Sequence, residues 1–223
     1  MMTTKVSGAA GWKKFAGQVL VGAAAGAGGM IAALSLLEGG DGIDWSLSAV
    51  ILLAVGFVYA LMGAFVGIGT LAPRLIGQRL LNVADVEEIV EERSNMIASS
   101  VGCIAIGAAL MLLAYAAGTD AAGATPTVAV ATAFWILLAM LGLFTAVSLW
   151  MWREFDELWQ QLTLEITAIT GNLMMLVAVV WGGAAAAGLV AGPHPLDLVS
   201  LSFGLMLLAS FIAIGRRGMM VPN

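Results

Sequence analysis

Six long apolar stretches limit what this chain can fold into, because only one charged residue, Glu165, lies within them. Each stretch is near or above the roughly 20 residues that a helix needs to cross a hydrocarbon core of about 30 Å. Strands of a membrane barrel would instead alternate apolar and polar residues in segments of about 10, and these stretches do not alternate. The sequence therefore predicts an all-α, polytopic bundle of six transmembrane helices: Phe15–Leu37, Leu47–Ala72, Met96–Gly118, Thr127–Trp150, Leu164–Val190 and Leu198–Gly215.

Composition supports a membrane protein. Only 10% of the 223 residues are charged, whereas a soluble domain has about 25%. Lysines precede the first stretch, as in a signal peptide, but the stretch is longer than the 7–15-residue apolar core of a signal peptide. It also ends without a small-x-small cleavage site, so we expect it to be retained as a span.

The positive charges predict the orientation. All nine Lys and Arg residues fall in the N-terminal tail, the second and fourth loops, or the C-terminal tail. The basic side of a membrane protein faces the cytoplasm, so both termini are predicted to be cytoplasmic. Because the loops are short and the chain has no large extramembrane domain, the pattern is typical of a multi-pass protein of the bacterial plasma (inner) membrane.

Short outer loops predict that the chain is organised in hairpins. One membrane domain, residues 1–223, would contain a first hairpin at 12–72, an acidic linker with a second hairpin at 73–150, and another acidic linker with a third hairpin at 151–217. Residues 85–146 also align on 154–215 without a gap, at an offset of 69. Gly123 and Pro126 then fall on Gly192 and Pro195, and two acidic octets (85–92 and 154–161) coincide. We interpret this match as an internal repeat.

The octets predict amphipathic acidic helical segments on the cytoplasmic side. We call their acidic residues the acidic collar: Glu87, Glu88, Glu91, Glu92, Asp156 and Glu157. Carboxylates at this spacing could bind a hard divalent cation, concentrate cations at a pore mouth, or dock a basic partner. A solvated helix face is the simplest explanation of the same pattern, so no metal site is assigned.

A second candidate site is a set of polar residues placed in or near the third and fifth spans: Asn95, Ser99, Cys103, Glu165 and Asn172. An ionisable group inside a membrane is costly and therefore suggests function. However, Glu165 has no obvious partner in the sequence, and at the start of a helix its charge is favourable without any function. The polar set could equally form hydrogen bonds between helices.

Small residues recur through the spans at spacings that let helix backbones approach closely. We predict helix packing as their role, with a glycine-lined pore or lipid groove as the alternative. The candidate packing glycines are Gly22, Gly26, Gly63, Gly67, Gly102 and Gly171.

No motif identifies a reaction. The chain has one histidine, His194, so a histidine-based zinc site or a Ser-His-Asp triad is poorly supported. We predict no cofactor and no nucleic-acid partner, and the pattern argues against an enzyme.

Two hypotheses about the function remain. The first is a transport or permeation component for a small solute or cation, acting as an oligomer in the bilayer. The alternative is a non-catalytic scaffold or accessory subunit that docks a membrane partner through its acidic cytoplasmic helices. A polar, hydrated cavity would favour the first, and a dry bundle with an exposed apolar face would favour the second.

Overall fold

A computed structural model describes residues 45–72, 90, 92–121, 123, 127–153 and 157–216. These residues form five α-helices and no strand: α1 Leu47–Leu71, α2 Arg93–Ala121, α3 Val130–Met151, α4 Glu157–Ala186 and α5 Pro195–Arg216. Each of the five is long and apolar enough to cross a membrane. Within the described residues, the prediction of an all-α fold with several helices long and apolar enough to span a membrane is therefore confirmed. The first predicted span, Phe15–Leu37, lies outside the described residues, so the six-span arrangement in three hairpins stays a prediction.

Local hydrogen bonds explain where several helices begin and end. The Ser46 side chain accepts a hydrogen bond from the Ala49 N–H at 3.2 Å and so caps the start of α1. Beyond the ends of α2 and α4, Gly123 and Gly188 have φ values of 71° and 73°, a left-handed conformation that glycine adopts without strain.

The start of α5 is a reciprocal cap built around the chain's single histidine. The backbone N–H of His194 donates to Asp197 Oδ2 at 2.7 Å, while the Leu196 N–H donates to His194 Nδ1 at 3.3 Å. This arrangement follows the capping box, with histidine in the place of serine or threonine. Pro195 occupies the first helical position, where its missing N–H costs nothing. His194 therefore has a structural role at a helix start.

The helices pack in the spatial order α3, α2, α1, α5, α4. The α1–α2 pair makes the most extensive contact, although a linker of more than 20 residues separates these helices in the chain. By contrast, α3 and α4 are joined by only five residues but do not pack along their lengths. One hydrogen bond, from Gln160 Nε2 to the Trp152 carbonyl at 3.1 Å, ties their adjoining ends together. We call this end of the bundle, which also holds Arg216, the collar end.

The buried core lies between α1, α2 and α3, and α5 packs against it. Eight residues of α1 and ten of α2 are buried, with Leu52 and Leu110 fully inaccessible. In α4 the one buried residue is Leu162, near the collar end. The four-helix core is thus well packed, and α4 lies at its edge.

Helix boundaries do not follow the register of the predicted repeat. The ends of α2 and α4 are 65 residues apart, and so are the starts of α3 and α5 and the two left-handed glycines. The sequence alignment used an offset of 69. Gly188, rather than Gly192, is therefore the counterpart of Gly123 at the helix end. Pro195 is the first residue of α5, whereas α3 begins four residues after Pro126, so the aligned prolines do not occupy equivalent positions relative to their helices.

Candidate functional site

The glycines of α1 and α2 bring the two backbones into direct contact. A Cβ atom added to Gly107 would lie 2.5 Å from the Gly56 carbonyl oxygen and 2.6 Å from the Ala60 nitrogen. Two turns further along the same contact, the buried Ser100 hydroxyl donates to the Gly63 carbonyl oxygen at 2.7 Å. We call this contact the α1–α2 seam. It has no room for a larger side chain, because the atoms facing its glycines include backbone.

The predicted packing glycines take different positions. A Cβ on Gly63 would lie 2.7 Å from the Ser100 carbonyl oxygen, and one on Gly67 would lie 2.6 Å from the Ser100 hydroxyl. Gly102 lies directly beneath the Phe144 ring of α3. Gly171 faces open space, with nothing within 4 Å of an added Cβ. Gly22 and Gly26 lie outside the described residues.

The structure does not bring the five residues of the polar set into one cavity. The Asn95 amide donates to Glu92 Oε2 at 3.0 Å, in the turn immediately before α2. Ser99 is exposed, and Cys103 is half-buried against the core. The Asn172 amide donates to the Ala168 carbonyl of its own helix at 2.9 Å. Local hydrogen bonds thus satisfy the amides of Asn95 and Asn172.

Glu165 has a partner that the sequence did not suggest, so the expectation that it lacks one is wrong. Its Oε1 lies 3.3 Å from Arg216 Nη1, and this ion pair joins the collar ends of α4 and α5. The Glu165 side chain is 23% exposed and that of Arg216 is 69% exposed. An ion pair with so exposed a member contributes about 0–1 kcal/mol. The pair links α4 to α5, so Glu165 is not an isolated carboxylate.

Two members of the acidic collar, Glu92 and Glu157, belong to the described part of the chain, and both are exposed. Glu92 accepts the hydrogen bond from Asn95. Glu157 is the first residue of α4, where a negatively charged carboxylate interacts favourably with the helix dipole. The other four, Glu87, Glu88, Glu91 and Asp156, lie outside the described residues. Within the described residues, no three acidic, histidine or cysteine side chains come together as metal ligands.

A small pocket of about 90 Å³ lies between α4 and α5. Its walls are almost entirely apolar and include Met174, Trp181 and Leu198. The Trp181 indole N–H donates to the Ala191 carbonyl at 2.9 Å and thereby holds the turn that joins the two helices. A pocket with these walls suits apolar groups and gives no path to a hydrated ion.

One exposed side of α4 carries a line of mainly small residues, of which Gly182 also lines the pocket between α4 and α5. We call it the α4 stripe, and its members are Ala168, Gly171, Met175, Gly182 and Ala186. Gly171 and Gly182 are eleven residues apart and so project within about 20° of each other. A Cβ added to either would meet nothing within 4 Å. A second helix backbone would therefore find space at these two glycines, beside the exposed Met175 side chain.

One further contact, centred on Tyr59, was not expected from the sequence. Its hydroxyl donates to the Phe203 carbonyl at 3.1 Å, and the two rings meet edge to face, with centroids 5.5 Å apart. This contact attaches α5, and through it α4, to the core. Its one signal in the sequence is a tyrosine in the middle of an apolar span, where a hydroxyl needs a partner.

Comparisons with protein-family models, with characterised proteins and with solved structures find no match to this chain.

Proposed function

We propose that this chain is a non-catalytic membrane scaffold or accessory subunit that binds a helix of another membrane protein along the α4 stripe. One observation carries the proposal: among the five described helices, the membrane-spanning window of α4 has the lowest mean hydropathy, 1.7, and the least burial. A helix surrounded by lipid is expected to be at least as apolar as its buried neighbours. A helix that is less apolar than its buried neighbours is expected where its exposed side contacts another protein rather than lipid.

The α1–α2 seam supports this interpretation of the stripe. In a bilayer the hydrophobic effect does not drive helices together, so close packing of small residues contributes much of their association. Gly56 and Gly107 serve that purpose within the chain. Gly171 and Gly182 have the same side chains but no partner among the described helices, and each costs about 1 kcal/mol of helix propensity relative to alanine. Close packing against a partner helix would offset that cost.

The gap between α3 and α4 gives a partner access. Consecutive helices with so short a connection normally pack side by side, but these two meet only at the collar end. A helix could therefore approach α4 without first displacing α3. The acidic collar would provide a second contact for a basic segment of the same partner.

Transport of a small solute or cation has less support. Two residues of the polar set that should line a hydrated path, Asn95 and Asn172, are hydrogen-bonded locally, and the pocket between α4 and α5 has apolar walls. Transport by an oligomer stays a prediction from the sequence.

The finer topology is part of the proposal. Six spans in three hairpins, with both termini cytoplasmic in a bacterial inner membrane, would place the collar end in the cytoplasm. The nine Lys and Arg residues and their absence from the predicted outer loops support this orientation.

Imaging the protein in native lipid discs tests the proposal. We expect helical density of a second protein or protomer against the α4 stripe. In a Gly171→Leu variant this density should be lost, because the leucine side chain occupies the open space next to Gly171. The matched Gly142→Leu variant changes an equally open glycine on α3 and should retain it. Lipid along the stripe in all classes of the unmodified protein would contradict the proposal.

A further inference from the structure

We draw no further inference here: the strongest candidate, the apolar pocket between α4 and α5 lined by Met174, Trp181 and Leu198, is an unpartnered apolar groove, and nothing in the structure shows what covers it.

Discussion

Helices α1 and α4 are both long, apolar and contain glycines, but the glycines of the two helices have different surroundings. In α1, Gly56 and Gly63 lie against backbone atoms of α2, so the packing of these glycines is complete within the chain. In α4, Gly171 and Gly182 face open space. The comparison shows that glycine spacing alone does not say where a helix finds its partner. It also separates two kinds of surface: the α1–α2 seam, which packs within the chain, and the α4 stripe, which is not covered by any of the other described helices.

The largest expected effect comes from filling the seam. Gly107→Leu would force a side chain against the backbone of Gly56 and Ala60, which cannot move without separating the helices. Overpacking of this kind costs about 1–3 kcal/mol or more, so we expect a clearly lower unfolding temperature in detergent.

Gly171→Leu is the control for this prediction, because the same change on α4 meets open space. Its stability should equal that of the unmodified protein or exceed it by up to about 1 kcal/mol, because leucine has the higher helix propensity. Equal losses in the two variants would remove the distinction between the seam and the stripe.

A smaller effect is expected where α5 joins the core. Tyr59→Phe keeps the edge-to-face ring contact with Phe203 but removes the hydrogen bond to its carbonyl. The loss should be about 0.5–1.5 kcal/mol, measured as a shift of the unfolding midpoint. Proteolysis should also become faster at the turn between α4 and α5, because these helices depend on this contact for attachment. A variant as stable and as protease-resistant as the unmodified protein would show that α5 is held in another way.

The smallest effect is expected at the collar end. Arg216→Gln removes the ion pair with Glu165, and because Arg216 is 69% exposed the loss should be below about 1 kcal/mol. Salt should weaken the unmodified pair, so the difference between variant and unmodified protein should shrink as ionic strength rises. Arg153→Gln removes the same charge at the same end and serves as the control. A loss that is large and independent of salt would indicate that the pair does more than fasten α4 to α5.

The sequence predicted most helix positions because hydropathy reports the hydrocarbon-spanning part of a helix directly. The second span, predicted as Leu47–Ala72, is α1 at Leu47–Leu71. The fifth was predicted to start at Leu164, but α4 starts at Glu157. Four of the seven extra residues are polar, and most of them belong to the octet 154–161, which the sequence predicted as a separate amphipathic helical segment; in the structure the described part of this octet is continuous with the span. The same helix ends at Ala186, shortly before the left-handed Gly188.

The candidate site was harder to predict because it depends on which helices pair. Loop length indicated contacts between α2 and α3 and between α4 and α5, which exist, but not the more extensive α1–α2 contact across a long linker. The partner of Glu165 could have been found. Glu165 and Arg216 are equally far in sequence from the midpoint between residues 190 and 191, and residues so placed in a helical hairpin lie at the same depth. Exposure of the α4 stripe had no such signal, since it follows from the absence of packing between α3 and α4.

Photo-crosslinking in the native membrane tests the central claim most directly. Met175 lies on the α4 stripe and Val180 lies off it, about 140° around the helix. The two are almost equally exposed, at 65% and 62%. With a photoreactive residue at each position in turn, the account predicts a discrete protein adduct from position 175 and only lipid adducts from position 180. Lipid adducts alone from both positions, or equal protein adducts from both, would contradict a partner-binding stripe on α4.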